Sequence, residues 1–230
     1  MSCPIPHVGG SKPVDHPVSG SAAPSKTTLE EYNELTNDFK FSNTKQADSS
    51  LSVSRQVSNI PNTASYRPEH QPNDQDKWVY PSEQQYYNAM KKKGYNPAMK
   101  DVPSILFIHN MVNEQGWRKI KEWESIRGID APKLKKFQGR PKDISPKAFI
   151  SHHLFGYSLP FDRHDWIVER SNGKEVRYVI DFYKGAPVHG VPVSIYLDVR
   201  PACDSSSAII DRLSRCYRED ILPNIKSIFK

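Results

Sequence analysis

The sequence predicts an α+β fold, in which helices flank a small antiparallel β-hairpin or meander and a long disordered N-terminal tail precedes them. Residues 1–76 are rich in Ser, Pro, Asn, Gln and Thr, and their scattered hydrophobic residues keep no period. Such a segment cannot bury enough surface to offset its ordering entropy. Helix-like segments then occur between residues 82 and 128, and strand-like runs lie within 160–200. One domain is therefore expected over residues 77–230.

Capping signals bound the predicted helices. A capping box at residues 82–85 starts the first helix, which should end at Gly94. The second helix should start near Val102, be capped again at Asn113 and continue to Gly128. The apolar residues of this stretch recur at helical spacing, so its amphipathic character is the main reason for the prediction.

The strands are predicted from the runs on either side of an Asn-Gly pair. Asn172-Gly173 is typical of a two-residue type I′ turn, so a tight hairpin is expected there. A third strand should lie near residues 193–200. A last helix, capped by Asp204, should then run to Ile221. The basic, proline-containing stretch Lys133–Lys147 is expected to be irregular.

Composition limits the possible functions without selecting one. The chain has 230 residues, 37% hydrophobic content and a net charge of +6, which permits anionic partners of several kinds. Its three cysteines are too few and too far apart for a disulfide framework, so reduced thiols are expected. No apolar run reaches the ~20 residues of a membrane span. The first thirty residues resemble neither a signal peptide nor an Arg-rich presequence. These features alone predict a soluble, cytoplasmic protein.

His109 is the first candidate site residue, because it lies on the apolar face of the second predicted helix. One interpretation is a core histidine that is hydrogen-bonded to a neighbour. The other is an axial ligand to a porphyrin iron, since haem is a flat apolar disc that suits an apolar helix face. In the second case Glu114, directly or through Asn110, would fix the tautomer of the ring.

His164 is the second candidate and lies between Arg163 and Asp165, at the start of the hairpin. A neighbouring carboxylate would favour a proton donor or acceptor near neutrality. The alternative is a solvated surface network of little energetic value. The adjacent pair His152-His153 lacks metal-binding spacing and is expected to lie in a loop.

Two weaker signals concern a large planar ligand. Aromatic residues, Trp78 among them, are abundant in the predicted domain; most should belong to the core, and a few could line a pocket. Cys3-Pro4 is a thiolate-proline pair in the tail, of the kind that can ligate ferric haem. The sequence shows no phosphate-binding loop, catalytic triad, Cys-x-x-Cys pair or RNA-binding signature.

Six ordered blocks of this sequence resemble the mitochondrial cytochrome c-type haem lyases, over roughly residues 76–215. The blocks are Trp78-Val79-Tyr80-Pro81-Ser82-Glu83-Gln84 with Asn88-Ala89-Met90, His109-Asn110 with Asn113-Glu114-Gln115, Trp123-Glu124, Pro160–Trp166, Val176–Tyr183, and Asp198-Val199-Arg200-Pro201-Ala202 with Asp204-Ser205.

The resemblance implies an enzyme that attaches haem b, bound as a substrate, to apocytochrome c1 or apocytochrome c through thioether bonds. It also implies a peripheral position on the mitochondrial inner membrane, in the intermembrane space, where no cleaved presequence is expected. His109 matches the family's axial haem ligand, and Glu114 matches the acidic residue beside it. By the same resemblance, Arg163, His164 and Arg170 are expected to contact haem propionates or to shape the pocket.

The tail departs from the family pattern, since only Cys3-Pro4-Ile5 stands where relatives often carry two Cys-Pro-Val motifs. The single motif and the compact length favour cytochrome c1 as the substrate. Two other functions stay open from the residues alone. One is a haem carrier or sensor without covalent chemistry, and the other is a basic scaffold or nucleic-acid binder, which the resemblance disfavours.

Overall fold

The computed structural model describes residues 50–66, 68, 70–72, 74–186 and 194–218, together with the backbone of two short strands at 32–33 and 38–39. The elements, in chain order, are β1 (Tyr32–Asn33), β2 (Asp38–Phe39), β3 (Val57–Pro61), β4 (Lys77–Val79), α1 (Glu83–Lys92), a 3₁₀ turn (Met99–Asp101), α2 (Val102–Ser125), β5 (Lys133–Gly139), α3 (Pro146–Phe155), β6 (Asp162–Glu169), β7 (Glu175–Lys184), β8 (Ile195–Pro201) and α4 (Ser206–Cys216). The predicted α+β class is confirmed.

A four-stranded antiparallel meander, in the order β5-β6-β7-β8, forms the centre of the domain. Helix α2 packs on one face of it, and the two approach closely where Gly116 lies against the side chains of Trp166 and Ile180. The core between them is apolar and aromatic. Its buried residues are Ile60, Trp78, Val112, Trp117, Ile120, Trp123, Leu134, Trp166, Val168, Tyr178, Ile180, Phe182, Leu197 and Val199.

Order begins earlier in the chain than the predicted start at Trp78. Strand β3 pairs with β4 in antiparallel register, and Asn62 forms a parallel bridge to Leu134 of the meander. Ile60 is fully buried in the main core. Isolated hydrophobic residues in a polar segment carry no period, so this docked strand could not be recognised from pattern. The prediction of a disordered tail for residues 1–49 lies outside the described residues, apart from β1 and β2.

The capping box that was predicted for α1 is present, with reciprocal bonds between Ser82 and Gln85. The predicted break of the second helix at Asn113 is wrong, because α2 continues without interruption as one helix of 24 residues. Asn113 is buried there and contacts another side chain, so it has no capping role. Tertiary packing has therefore overridden a local preference.

The stretch Lys133–Lys147 was predicted to be irregular, and this is wrong at both ends. Its first seven residues form β5, and its last two open α3, where Ser145 caps the helix by accepting from the Ala148 amide. His152 and His153, predicted to lie in a loop, belong to α3. The lysines of β5 made this stretch look like an irregular loop, but β5 is an edge strand of the sheet, and charged residues are common in edge strands.

The hairpin between β6 and β7 is confirmed, but its turn is longer than the predicted type I′ form. The Arg170 amide donates to the Lys174 carbonyl, the Gly173 amide donates to the Arg170 carbonyl, and Gly173 is left-handed at φ 75°. This pattern belongs to a three-residue loop. Helix α4 is capped by Ser205 rather than by the predicted Asp204.

Two further sequence predictions can be compared with the described residues. Cys203 and Cys216 are exposed and form no disulfide, as expected. Within the described ranges, no helix combines the length and the apolar composition that crossing a bilayer requires.

Candidate functional site

His109 lies in the first half of α2 with its imidazole ring enclosed by protein. The residue is 5% exposed, and its ring contacts the aromatic rings of Tyr80 and Tyr86 at centroid distances of 6.3 and 5.8 Å. Tyr80 follows β4 directly, and Tyr86 belongs to α1. Two neighbouring segments, through tyrosines that precede His109 by more than twenty residues, thus enclose this one histidine.

Two asparagines fix the hydrogen bonding of the His109 ring. The side-chain oxygen of Asn110 lies 3.2 Å from Nδ1, and the side-chain nitrogen of Asn113 lies 3.1 Å from Nε2. An amide oxygen accepts and an amide nitrogen donates, so the arrangement matches a neutral ring with its proton on Nδ1. The lone pair is then on Nε2, as a metal-binding imidazole requires.

The orientation of the Asn110 amide is itself held by a partner from the N-terminal segment. Its nitrogen donates to Oε1 of Gln56 at 3.1 Å, which leaves its oxygen to accept from His109. Gln56 precedes β3, in the segment that sequence reasoning assigned to the tail. Nothing in the sequence marked Gln56 as a site residue, because a single glutamine in a polar segment without periodicity does not differ from its neighbours.

Glu114 borders the His109 site one turn further along α2. Its Oε1 accepts from the hydroxyl of Tyr80 at 3.1 Å and from the backbone amide of Asn59 at 2.9 Å. Burial, followed by the charge of Glu114, raises the pKa of Tyr80 far above its ordinary value, so its hydroxyl stays a donor. Glu114 thereby ties β3 and the aromatic wall of His109 to the helix.

An open groove of about 1220 Å³ runs along the side of α2 that points away from His109. Its walls include the apolar side chains of Phe107, Met111 and Trp117, with Arg118 and Lys121 toward one end. Of the residues that the sequence singled out, Glu114 lines this groove. Glu114 therefore lines the groove and also accepts from Tyr80, whose ring contacts the buried imidazole.

Strand β6 brings Arg163 and His164 to opposite faces of the meander, because side chains alternate along a strand. On the outer face, the fully buried Asp165 binds three arginines: Arg163 at 3.0 Å, Arg140 at 3.1 Å and Arg177 at 2.6 Å. Each cation compensates a carboxylate that would otherwise be costly to bury. Arg163 therefore serves an ion-pair network on the side of the sheet that does not carry α2.

His164 lies on the inner face of β6, against the ring of Phe182 at a centroid distance of 5.0 Å. Its Nε2 is 3.2 Å from Oδ2 of Asp162, and both residues are buried. The two atoms approach without a hydrogen-bond alignment. The predicted surface network of the alternative interpretation is thus absent here, and His164 is a buried sheet residue whose ring contacts are Phe182 and Asp162.

Arg170 lies in the hairpin turn and forms a bidentate ion pair with Glu124, with N···O distances of 2.6 and 2.9 Å. Glu124 is fully buried and also accepts from the hydroxyl of Tyr178 at 2.5 Å. Glu124 follows His109 by fifteen residues of one helix, which places them about 22 Å apart along its axis. The structure therefore does not bring Arg170 together with His109.

Trp78 is a core residue, with its ring against Phe137 and its Nε1 donating to the Leu134 carbonyl at 3.2 Å. Cys3 lies outside the described residues. No group of three His, Cys, Asp or Glu side chains among the described residues has a spacing that would hold a metal ion. Of the predicted residues, the structure groups His109, Asn110 and Glu114. Tyr80, Asn113 and Gln56 join them through the contacts described above. The i, i+4 spacing from His109 is the signal that could have revealed Asn113.

Comparison with known proteins identifies one family. The model of the family described as "Cytochrome c/c1 heme lyase" matches residues 1–129 and 125–216. A Schizosaccharomyces pombe protein named "Putative holocytochrome-c1 synthase" is 47% identical over 76% of this chain and 80% of its own length. The human "Holocytochrome c-type synthase" is 42% identical over 87% and 73% of the two chains. The "Holocytochrome-c synthase" of Saccharomyces cerevisiae is 36% identical over 93% and 85%. No solved structure matches.

Proposed function

The chain belongs to the cytochrome c/c1 heme lyase family, and from this premise we propose that it attaches haem covalently to an apocytochrome of the c type. The structural observation that carries the proposal is the placement of His109, whose Nδ1 lies 3.2 Å from the Asn110 amide oxygen and whose Nε2 lies 3.1 Å from the Asn113 amide nitrogen; these partners favour the state with the ring proton on Nδ1 and the lone pair on Nε2. A side chain in this state can ligate the iron of a haem substrate.

The reaction is the addition of two substrate thiols to the two vinyl groups of haem b. In each addition a carbon–sulfur bond forms, the thiol proton goes to the other vinyl carbon, and no electrons are gained or lost overall. The enzyme supplies no nucleophile, because the nucleophile is the thiol of the apocytochrome. Its contribution is to hold haem and peptide in reacting geometry, and such positioning is a large catalytic effect.

His109 is the residue that we assign to the iron. To bind the metal its Nε2 must leave the Asn113 amide, which gives up one neutral hydrogen bond of about 1 kcal/mol. Asn110 can keep its bond to Nδ1 throughout, so the ring retains its tautomer. Glu114 and Tyr80 do not touch the iron in this proposal. They hold β3 and the tyrosine rings beside His109 in position against α2.

The remaining predicted residues are assigned to the architecture of the domain. Arg163 and Arg170 compensate buried carboxylates, and His164 and Trp78 pack within the sheet and the core. Cys3 is retained as a weak additional haem ligand from the tail. None of these five is required to touch the reacting atoms in this proposal.

Cytochrome c1 is the substrate that we propose, with cytochrome c as the alternative. Support comes from the 47% identity to the Schizosaccharomyces pombe protein whose printed name is a c1 synthase, against 36% for the Saccharomyces cerevisiae cytochrome c synthase. The net charge of +6 suits an acidic substrate. The corresponding location is the mitochondrial intermembrane space, peripheral on the inner membrane.

Co-expression with apocytochrome c or apocytochrome c1 in separate strains tests both parts of the proposal. Haem that stays on the cytochrome in a denaturing gel is covalently attached, so staining on the c1 substrate alone is the expected result. Staining on apocytochrome c alone would reverse the specificity. A haem spectrum on the purified protein, with neither cytochrome stained under reducing conditions, would favour a carrier or sensor.

The ligand assignment is tested with His109→Gly, which should lose the haem spectrum and the stained product together. Added imidazole can enter the space left by the side chain and should restore part of the spectrum. His164→Gly is the matched control, because it removes a second buried histidine and should leave the iron ligand unchanged. Normal product from His109→Gly would exclude His109 as the ligand.

A further inference from the structure

The groove along α2 exposes apolar side chains that the described part of the chain leaves uncovered. Phe107 is 65% exposed and Met111 is 54% exposed, and they lie one turn apart on the helix. Other apolar residues that line the groove are Ile108, Val112, Trp117 and Ile195. Methionine is common at binding surfaces, because its side chain adapts to the shape of a partner. An exposed apolar strip of this kind is expected to receive one.

The groove follows α2 over most of the length of the helix. Its lining residues on α2 extend from Pro103 to Lys121, which corresponds to about 27 Å at ~1.5 Å per residue. About eight residues of extended chain cover the same distance. The shape therefore suits a stretch of polypeptide that lies along the helix.

Two cations stand toward one end of the groove. Arg118 and Lys121 are exposed, and neither forms an ion pair within the described ranges. The carboxylate that lines the groove, Glu114, already accepts from the Tyr80 hydroxyl and the Asn59 amide. The groove thus combines apolar contacts with positive charge at one end, so an acidic segment with large apolar residues fits it.

The N-terminal part of this chain contains such a segment. Residues 29–39, called the acidic segment below, include four acidic residues and no lysine or arginine. Residues 1–49 hold six acidic residues in all, so four of the six fall within these eleven positions. The segment has four large apolar residues, Leu29, Tyr32, Leu35 and Phe39, and each of them stands next to an acidic residue. In a chain with a net charge of +6, this composition is complementary to the groove.

Part of the acidic segment forms β1 and β2, which pair with each other so that Tyr32 lies opposite Phe39 in the register. A two-stranded ribbon is at best marginally stable alone in water and is normally held by packing against another element. Packing on the domain is therefore expected of this segment.

The acidic segment is tethered close to the start of the groove. Leu51 is buried in one cluster with Val102 and Leu106, which belong to the first turns of α2. The lining of the groove begins in the same turns, at Pro103. Residues 40–50 join the segment to Leu51, and eleven residues can span about 36 Å. A tether of this length keeps the segment at a high effective concentration, so modest contacts suffice for docking.

We propose that the acidic segment docks in the groove along α2, with its apolar residues on Phe107 and Met111 and its carboxylates near Arg118 and Lys121. The occupant of the groove is then part of this chain. The groove lies on the side of α2 that points away from His109, so docking needs neither haem nor apocytochrome. It succeeds or fails separately from haem attachment.

Disulfide trapping in the full-length protein tests this contact. In a background in which serine replaces the native cysteines, Tyr32→Cys is combined with Met111→Cys in the groove. The matched control combines Tyr32→Cys with Tyr95→Cys, a position of similar exposure at 52% against 54%. Tyr95 is equally near the tether, because its amide donates to the carbonyl of Met90, which packs in the same cluster as Leu51. The groove variant should form the intramolecular disulfide in a yield about fivefold or more above the control.

Charge reversal tests whether the cations select the segment. Arg118→Glu with Lys121→Glu should lower the trapping yield about fivefold, because attraction becomes repulsion. Glu31→Lys with Glu34→Lys in the same protein should restore the yield. Raised salt should weaken trapping in the original pair as well, since exposed charges are screened.

The matched control for charge is Lys142→Glu with Lys174→Glu, which changes the net charge equally at exposed positions outside the groove lining. This variant should trap the segment as the original pair does. Reversal at either set of sites replaces exposed side chains only, so the domain should stay folded. Full trapping in the protein with the reversed groove would overturn the proposal, because the choice of segment depends on charge.

Three other outcomes would also overturn it. Equal yields at Met111 and Tyr95 would mean that a tethered segment collides with the surface without docking. A disulfide-linked product of twice the chain mass would assign the groove to a second copy of the chain. Protection of Met111→Cys from maleimide by haem or by apocytochrome, without a bond to Tyr32→Cys, would assign the groove to a substrate.

Discussion

Two tyrosine–glutamate pairs lie at different points along α2, and they differ in what surrounds them. Tyr80 donates to Glu114 at 3.1 Å near the middle of the helix, and Tyr178 donates to Glu124 at 2.5 Å near its C-terminal end. Glu114 is partly exposed and otherwise accepts from a backbone amide. Glu124 is fully buried and receives the bidentate guanidinium of Arg170.

The first pair therefore belongs to the candidate site, whereas the second holds elements of the fold together. The second pair joins α2 to the hairpin turn through Arg170, and Arg170 also approaches Asp211 of α4 at 3.6 Å. Buried charges there satisfy one another, so a change on one side leaves the other uncompensated. The first pair adjoins the side-chain amides of Asn110 and Asn113 around His109, whose hydrogen bonds can be exchanged at small cost. One helix thus carries a rigid end and an adaptable end.

The largest effect is expected when the rigid end is broken with Arg170→Met. The Glu124 carboxylate then stays buried without its cation, and the free energy of unfolding should fall by roughly 3–5 kcal/mol, measured by urea titration. The double variant Arg170→Met with Glu124→Gln removes the stranded charge and should recover part of the loss. Lys135→Met is a control for an exposed ion pair, with Glu175, and should change stability little.

An Arg170→Met variant as stable as the wild type would mean that the ion pair between Arg170 and Glu124 does not stabilise the fold. The same variant also separates two roles for Arg170. Haem occupancy that falls only in proportion to the folded fraction supports an architectural role. Haem loss from fully folded protein would instead support the contact with haem propionates that the family resemblance implies.

An intermediate effect is expected at alkaline pH and compares the two tyrosines directly. Burial, followed by the neighbouring glutamate, raises the pKa of both Tyr80 and Tyr178 far above the ordinary value near 10. The unfolded chain therefore ionises first, so stability is complete below pH 10 and falls as the pH rises above it. Each tyrosine should contribute a decline of about 1.4 kcal/mol per pH unit.

Tyr80→Phe and Tyr178→Phe should each reduce that alkaline slope, measured as urea midpoints between pH 9 and 11. Tyr183 offers a further comparison, because burial raises its pKa to about 12, so Tyr183→Phe should also reduce the slope over this range. An unchanged slope in Tyr80→Phe would show that its hydroxyl is accessible to water. The adaptable end would then be open even without haem.

The sequence predicted the elements whose signals are local. The capping box at Ser82, the hairpin around Gly173 and the apolar face of α2 all follow from spacing along the chain. It did not predict β3, because the burial of Ile60 depends on β4 and β5, which lie far away in sequence. Of the two buried positions of β3, Ser58 is polar and Ile60 is apolar, so the strand lacks the apolar–polar alternation that would have marked it.

For the site, too, the sequence predicted the residues that are neighbours in the chain and missed those that are brought in by long-range contacts. His109, Asn110 and Glu114 are neighbours on one helix and were identified together, whereas Gln56 reaches Asn110 across 54 positions. Arg170 was placed near haem by family resemblance, but its partner Glu124 is a long-range contact. Residue type and spacing therefore identify the centre of a site, and tertiary structure decides which side chains surround it.

The smallest and most specific effect is expected from the two asparagines that hold His109. Asn113→Ala removes the donor to Nε2, so iron no longer competes with it, and haem affinity should rise about fivefold, the equivalent of one hydrogen bond of about 1 kcal/mol. Asn110→Ala removes the acceptor that keeps the proton on Nδ1, and affinity should fall by a similar factor. Opposite signs are required, because one amide opposes ligation and the other favours it. Haem titration of both variants, with Asn172→Ala in the exposed turn as a control, measures this directly. A loss of affinity in both asparagine variants would mean that the amides merely support the fold, and the adaptable end of α2 would then be as structural as the rigid one.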